Sequence, residues 1–319
     1  MNERRTHMAV KKYYDSWFAT DFTYEDVELN THGKRLFFQR VSSPVSEPTK
    51  NIILVHVLTA NSKILDIQYK GYSIVRNYAA NGYSGWLIDL SGHGLSEEWE
   101  DPLSITTKTA AEDIIAAAEK IIELYGVKNV DVLGWSWGTA TGAMAERMRP
   151  ELFRKLILLS PLTASCHPRL PKGTFTKTPY GETPYGGTAR LFPIKGVPGG
   201  IVPPEDFEFD EARVELGMVN KAMHDFFRYV APKGKPNGPA EETMTGEPID
   251  FVQPENITCP AFIAYGDDDG YNTVEEVNEM IEKLPEGSGS LRCPGGTHAI
   301  PFDKKALILH TAILSWLNQ

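Results

Sequence analysis

Short, nearly continuous apolar runs recur along the chain and alternate with stretches of helical periodicity. Parallel strands that are covered on both faces have such sequences, because neither face of the sheet meets water. Five runs of this kind lie at 51–57, 84–90, 129–135, 155–161 and 259–266. Apolar residues at helical spacing mark the intervening stretches at 72–82, 110–126 and 139–150. The alternation predicts βαβ units, and therefore an α/β fold with a mostly parallel central sheet flanked by helices.

The pattern also predicts elements on both sides of this alternating region. Before it, segments 22–30 and 34–42 flank the turn THGK and predict a hairpin, so that the sheet starts antiparallel. Gly126 follows the longest helical stretch, at a position where a glycine commonly ends a helix. Near the end of the chain the spacing predicts a helix at 275–285, a strand at 289–295 and a final helix at 304–319.

The alternation breaks between residues 162 and 257. This stretch is rich in proline and glycine and contains one helical piece at 210–231. A structureless loop of such length is uncommon inside a compact domain, whereas an inserted cap that packs over a site is a usual arrangement. We therefore predict a core built from residues 1–161 and 258–319, interrupted by a cap or lid at 162–257.

Composition and charge indicate which kinds of binding partner the protein is not expected to have. The formal net charge of −10 disfavours nucleic acids and anionic membrane surfaces, since both call for a basic face. The chain has no apolar run long enough to span a membrane, and its first residues lack the apolar core of an export signal. Its three widely spaced cysteines fit neither a disulfide framework nor a zinc site. We expect a cytoplasmic protein with no nucleic-acid and no membrane partner, and the sequence leaves its oligomeric state open.

Candidate chemistry begins with the segment GWSWG at 134–138. Its G-x-S-x-G pattern lies directly after a predicted strand and directly before a predicted helix. In this setting a serine can sit on a sharp turn that raises its hydroxyl above the sheet, and the glycines occupy positions where side chains would clash. We predict that Ser136 is a nucleophile. The side chains of Trp135 and Trp137 are expected to be structural.

A serine hydroxyl needs a base to accept its proton and an acid to orient that base. His298 follows a predicted strand in the glycine-rich loop PGGTH and is our candidate base. Three consecutive aspartates, Asp267 to Asp269, follow another strand at its carboxyl end, the edge of the sheet where ligands bind. We choose Asp269 as the acid, although Asp267 or Asp268 could hold the histidine instead.

The order Ser136, Asp269, His298 resembles that of the α/β-hydrolase superfamily, in particular its serine carboxylesterase- and lipase-like members with an inserted cap. The resemblance extends over nearly the whole chain and includes the segments LVHVLTANS, IDLSGHGLSE, YGDDDGYN and CPGGTH. It implies an α/β-hydrolase fold and a Ser-Asp-His triad, with the family's acid position falling on Asp269. It implies no metal ion and no organic cofactor, and its partner is a small-molecule substrate of ester type.

The resemblance also implies an oxyanion hole made by two backbone N–H groups. One belongs to Trp137, the residue after the nucleophile, and the other to Leu58. The chain departs from the family here, because Val57 stands where a glycine usually follows the histidine. A valine cannot adopt a conformation reserved for glycine, so we expect this loop to have a different shape.

These observations predict a serine hydrolase that cleaves a carboxylic ester or a lactone through an acyl-enzyme on Ser136. The same triad would serve an acyltransferase, a thioesterase, or a C–C or amide hydrolase, and a receptor-like member would bind a ligand without turnover. Haloalkane dehalogenases and epoxide hydrolases of the family carry aspartate at the nucleophile position, so Ser136 disfavours both. Aromatic residues of the cap are candidates for lining the substrate pocket, among them Tyr180, Tyr185 and Tyr229.

Overall fold

Most of the chain outside the predicted cap has a described structure. The computed structural model describes residues 10–67, 70–163, 180–181, 235–236, 238–245, 250–302 and 306–319. The helix predicted at 210–231 lies outside the described residues, as does most of the predicted cap. The boundaries of the core and the cap therefore stay predictions.

A ten-stranded sheet forms the centre of the molecule. The strands are β1 (Val10–Asp15), β2 (Thr20–Asp26), β3 (Leu29–Thr31), β4 (Lys34–Ser42), β5 (Asn51–Val55), β6 (Ser84–Asp89), β7 (Val130–Trp135), β8 (Phe153–Leu159), β9 (Tyr180–Gly181), β10 (Lys235–Pro236), β11 (Ala261–Gly266) and β12 (Gly289–Cys293). Across the sheet the order is β1-β2-β4-β6-β5-β7-β8-β11-β12; β3 pairs with β4, and β9 pairs with β10 in a separate ribbon.

The pairing confirms the predicted mostly parallel sheet with an antiparallel start. Strands β5 to β8, β11 and β12 run parallel to their neighbours in this group, and β4 joins them antiparallel to β6. The predicted hairpin is present as β3 and β4. Strand β1 was not predicted, because its sequence VKKYYD is exposed along nearly its whole length and so carries no apolar face.

Helices cover both faces of this sheet, as the alternation predicts. They are α1 (Ile74–Ala80), α2 (Thr107–Tyr125), α3 (Trp137–Met148), α4 (Gly238–Thr245), α5 (Val274–Glu282) and α6 (Ala306–Leu317). Helix α2 begins with a capping box between Thr106 and Thr109 and ends, as predicted, at Gly126, whose φ is 63°. No helix in these described ranges is long and apolar enough to cross a membrane.

The sheet separates two apolar cores, and the motif GWSWG contributes to both. Trp137 belongs to the core that contains buried residues of α2, α3 and α5. Trp135 belongs to the core that contains buried residues of α1 and α6. Because both indoles are fully buried, the two tryptophans beside Ser136 anchor this short segment on opposite faces of the sheet.

The chain returns to the sheet after residue 250 at a fixed place against α3. The buried Glu146 carboxylate accepts hydrogen bonds from the N–H and hydroxyl of Thr258, at 3.0 and 2.6 Å, and from the Cys259 N–H at 3.1 Å. The neighbouring Arg147 donates to the carbonyl oxygens of 251–252. Hydrogen bonds to a charged group are the stronger class, so α3 fixes where β11 begins.

Candidate active site

The turn at 134–138 is so tight that only glycine fits two residues before and two residues after its serine. Ser136 has a φ of 57°, in the left-handed region that non-glycine residues rarely adopt. A Cβ on Gly134 would lie 2.0 Å from the carbonyl oxygen of Gly138, and a Cβ on Gly138 would lie 2.7 Å from that of Val55. The close approach of strand β7, helix α3 and the end of β5 therefore requires both glycines. Strained residues of this kind cluster at functional sites.

Backbone hydrogen bonds hold Ser136 in this conformation. Its N–H donates to the Leu159 carbonyl on the adjacent strand at 2.9 Å, and its carbonyl accepts from the Thr139 hydroxyl at 2.6 Å. Helix α3 starts at Trp137, so the Trp137 N–H has no acceptor within the helix. The turn at 134–138, called the elbow below, thus presents a hydroxyl next to an N–H group at the positive end of a helix dipole.

The structure brings Ser136, His298 and Asp269 together. His298 Nε2 lies 2.8 Å from Ser136 Oγ, and His298 Nδ1 lies 2.8 Å from Asp269 Oδ2. All three side chains are buried. When Nδ1–H donates to the carboxylate, the lone pair of Nε2 faces the serine hydroxyl, which is the arrangement that lets an imidazole accept the hydroxyl proton.

Of the consecutive aspartates, the structure brings Asp269 to the histidine and gives Asp267 a different partner. Arg292 donates to Asp267 Oδ2 at 2.9 and 3.1 Å. Burial acts to raise the pKa of Asp267, but a backbone N–H from the 293–297 loop and the Arg292 guanidinium outweigh it, so that pKa lies below its usual value. Asp267 is therefore an ionised partner of Arg292 on strand β12.

Two residues that sequence reasoning missed hold the Asp269 carboxylate. The Tyr271 N–H donates to Oδ1 at 2.8 Å, and Asn272 Nδ2 lies 3.4 Å from Oδ2. Asn272 also donates to the Pro161 carbonyl at 2.6 Å and accepts from the Thr163 hydroxyl at 3.1 Å. Asn272 thereby connects Asp269 to the segment that follows β8. The only signal in the sequence was their place directly after the aspartates.

The loop that carries Asp269 and the loop that carries His298 touch backbone to backbone. A Cβ on Gly266 would lie 2.0 Å from the carbonyl oxygen of Gly296, and the Asp268 N–H donates to this same oxygen at 2.8 Å. No side chain at 266 could be accommodated without separating the two loops. Gly266 therefore sets the separation between the loops that carry Asp269 and His298.

The indoles of the two tryptophans donate hydrogen bonds to different acceptors. Trp135 Nε1 donates to the backbone carbonyl of His298 at 2.9 Å. Trp137 Nε1 donates to the hydroxyl of Thr107, the first residue of α2, at 3.1 Å. The Thr107 N–H and hydroxyl both donate to Glu242 of α4 at 2.7 Å. Sequence reasoning assigned both tryptophans to packing and missed these contacts.

Comparison with known proteins identifies the fold of the chain. A family model described as the alpha/beta hydrolase fold matches residues 50–182.

The chain has the alpha/beta hydrolase fold.

Solved α/β-hydrolase structures are similar along almost the whole chain. An esterase from a Rhodococcus species is 15% identical with a TM-score of 0.64, and the match covers 98% of this chain and 99% of that one. A thermophilic esterase from Thermogutta terrifontis is 17% identical with a TM-score of 0.65, covering 92% and 98%. Est816, described as an N-acyl homoserine lactone degrading enzyme, is 16% identical with a TM-score of 0.63, covering 90% of this chain and 99% of that one. No curated protein sequence matches the chain.

The loop after β5 contains Leu58, the second predicted oxyanion donor. The Leu90 N–H donates to His56 Nε2 at 3.2 Å, so the proton of His56 is on Nδ1, which lies 2.8 Å from the Val57 carbonyl. Burial lowers the pKa of His56, which keeps the imidazole neutral. The Val57 carbonyl belongs to the same peptide group as the Leu58 N–H. His56 therefore orients the peptide that carries the predicted donor.

Val57 fits this α/β-hydrolase loop without a glycine-like backbone. In the described ranges the non-glycine residues with positive φ are Ala19, His32, Ser136, Ser160 and Gln253. The Val57 side chain is buried in the same core as Trp135. Of the predicted pocket residues, Tyr185 and Tyr229 lie outside the described residues, as does the side chain of Tyr180.

Proposed function

We propose that the protein is a serine hydrolase that cleaves a carboxylic ester or a lactone through an acyl-enzyme on Ser136. The observation that carries the proposal is the continuous path from Asp269 Oδ2 through His298 to Ser136 Oγ, with 2.8 Å at each step. The path lies at a strained turn, where the chain holds the serine in an unfavourable conformation. The substrate is a small molecule, and the mechanism requires no metal and no organic cofactor.

In the proposed first half-reaction the alcohol leaves and the acyl group stays on the enzyme. His298 accepts the Ser136 proton as Oγ attacks the carbonyl carbon, and Asp269 stabilises the resulting imidazolium. The Trp137 and Leu58 N–H groups bind the oxygen of the tetrahedral intermediate, where removal of one donor typically costs about 3 kcal/mol. When the intermediate collapses, the C–O bond to the alcohol breaks and His298 protonates the leaving oxygen.

The second half-reaction repeats these steps with water as the nucleophile. His298 accepts a proton from water, the hydroxide adds to the acyl carbon, and collapse of the second intermediate returns the proton to Ser136 Oγ. The products are a carboxylic acid and an alcohol; from a lactone they are one hydroxy acid. The similar structures include two esterases and an enzyme that degrades N-acyl homoserine lactones, which supports this choice of substrate class.

The test combines covalent labelling with turnover. The purified protein would be treated with a fluorophosphonate probe, and hydrolysis would be followed with p-nitrophenyl esters of increasing acyl length and with a series of lactones. We expect labelling and turnover in the wild type, and loss of both in Ser136→Ala and His298→Ala. Ser160→Ala is a matched control, because Ser160 is also a buried serine with positive φ at the end of a strand.

The outcomes separate the alternatives that use the same three residues. Labelling at Ser136 without turnover of any ester or lactone would contradict the proposal and favour a receptor-like protein. Faster turnover of thioesters or amides, or transfer of the acyl group to an added alcohol, would replace ester hydrolysis by a thioesterase, amidase or acyltransferase reaction. Asp269→Asn should reduce turnover far more than Asp267→Asn, and equal losses would contradict the assigned acid.

A further inference from the structure

We propose that Trp135 is a positioning residue for His298, acting through its indole N–H to set the distance between His298 Nε2 and Ser136 Oγ. Trp135 Nε1 donates to the backbone carbonyl of His298 at 2.9 Å, and both groups are buried. Trp135 is also the chain neighbour of Ser136. The residue before the nucleophile thus holds the backbone of the residue that accepts the nucleophile's proton.

The indole is itself firmly fixed, as a positioning residue must be. Trp135 is the last residue of β7, and its side chain is fully buried in the core beneath α1 and α6. Its ring packs edge-on against Phe302, with centroids 5.2 Å apart. Phe302 ends the short helical turn Ile300–Phe302 that follows His298. One side chain therefore holds the His298 segment at two points.

A hydrogen-bond donor is needed at this place and an apolar ring would not replace it. An indole N–H can only donate, and it meets a carbonyl that can only accept. Removal of the donor costs the buried His298 carbonyl a hydrogen bond that holds it in place. The His298 loop can then shift. The shift would change the Nε2 to Oγ distance and also the Nδ1 to Asp269 contact on the opposite side of the ring.

This inference rests on the proposed function, since it concerns the transfer of a proton from Ser136 to His298. A change in that transfer affects the chemical step and leaves ground-state binding of the substrate unchanged. We therefore expect loss of the indole N–H to lower kcat by about tenfold or more, with KM within about twofold of wild type. The rate of fluorophosphonate labelling should fall in parallel with kcat, because it depends on the same activated hydroxyl.

The experiment replaces Trp135 by β-(3-benzothienyl)alanine, in which sulfur stands in place of the indole N–H and the bicyclic shape is kept. The control is the same replacement at Trp86, whose buried indole donates to Asn51 Oδ1 at 2.9 Å, away from the site. Both proteins lose one buried indole hydrogen bond. Only the replacement at Trp135 should lower kcat; equal values of kcat in the two proteins would overturn the proposal.

A spectroscopic readout tests the positioning without any substrate. The proton between His298 Nδ1 and Asp269 should give a far-downfield proton NMR signal, assigned by its absence in His298→Ala. We expect the Trp135 replacement to shift or broaden this signal and the Trp86 replacement to leave it in place. An unchanged signal would overturn the proposal. If the wild type hydrolysed no ester or lactone, the proposed function would fail, and the NMR signal would still decide whether Trp135 positions His298.

Discussion

Trp135 and Trp137 have the same side chain, flank the same serine and are equally buried, but they point to opposite faces of the sheet. The hydrogen bond of Trp135 ends on the backbone of His298. That of Trp137 ends on Thr107 at the start of α2 and continues to Glu242. One tryptophan therefore acts within the site, and the other connects the elbow to a helix and to the predicted cap.

The face of the sheet on which each tryptophan lies, and not its residue type, determines which hydrogen bond its indole makes. Alternation along β7 sends Trp135 toward the core of α1 and α6, and the turn at Ser136 sends Trp137 toward the core of α2 and α3. Substitutions on the two faces should therefore have different effects, and the turn that both tryptophans share should be the most sensitive position.

The largest loss of activity is expected from Gly134→Ala, because this change disturbs the backbone turn that carries both tryptophans. The new Cβ would lie 2.0 Å from the Gly138 carbonyl oxygen, and backbone atoms must move to admit it. Since displacements of about 1 Å at a reacting group can cost about 100-fold in rate, we expect at least that loss of kcat together with a lower melting temperature. Ester hydrolysis and thermal denaturation measure the two effects.

The matched control for this prediction is Gly142→Ala in helix α3. Its Cβ would meet a single side-chain atom, Val132 Cγ1, at 3.2 Å. We expect nearly wild-type activity and an unchanged or slightly raised melting temperature, because alanine favours a helix over glycine. Equal losses of kcat and of melting temperature in the two variants would show that the turn at 134–138 does not require a glycine at position 134.

Helix α6, which packs on the core that contains Trp135, carries His310, and we expect this histidine to make the protein less stable in acid. This histidine of α6 is buried, and neither ring nitrogen has a hydrogen-bond partner among the described residues. Burial lowers the pKa of His310 to about 4, whereas an unfolded histidine titrates near 6.5. The unfolded state binds the proton first as the pH falls, so this contribution is complete above about pH 6.5 and is lost down to about pH 4.

The expected size of this loss is about 3 kcal/mol in the free energy of unfolding. Urea denaturation at several pH values measures it. His310→Phe removes the titrating group and retains a ring against Tyr78, whose centroid lies 6.0 Å away. We expect this variant to depend less steeply on pH between 6.5 and 4 than wild type. An identical slope in both proteins would assign the acid sensitivity to other groups.

The smallest effect is expected on the face of Trp137, from Thr107→Val. This change removes the hydroxyl between Trp137 and Glu242 and keeps a side chain of similar shape. Loss of a buried hydrogen bond should cost about 1–2 kcal/mol of stability, with kcat within about threefold of wild type. Thr107→Ser keeps the hydroxyl and should resemble the wild type. A loss of kcat as large as that of the Trp135 replacement would abolish the contrast between the two faces.

The sequence predicted the sheet's parallel strands, its antiparallel start and the three residues whose side chains meet at the turn around Ser136. Buried parallel strands are apolar throughout, so their pattern survives without knowledge of tertiary contacts. The candidate triad was found because each member follows a strand at the same edge of the sheet. Strand β1 was missed because a strand exposed along its length has no apolar alternation to detect.

The roles of Trp135 and Asn272 could not be predicted for a different reason. Trp135 contacts a residue 163 positions later in the chain, and Asn272 contacts Pro161, 111 positions earlier. Nothing local distinguishes an indole that packs from one that donates to a distant carbonyl. Such roles depend on how loops from different strands meet, which hydrophobic periodicity does not encode.

The contacts that fix where the chain rejoins the sheet, against α3, also determine how substitutions between 164 and 249 affect the site. Core residues hold both ends of the stretch between 164 and 249: Asn272 binds Thr163 on one side, and Glu146 binds Thr258 on the other. The hydrogen bonds that join Ser136, His298 and Asp269 use no residue from within that stretch. Substitutions between 164 and 249 can therefore alter the predicted cap without removing any of the hydrogen bonds that join these three side chains.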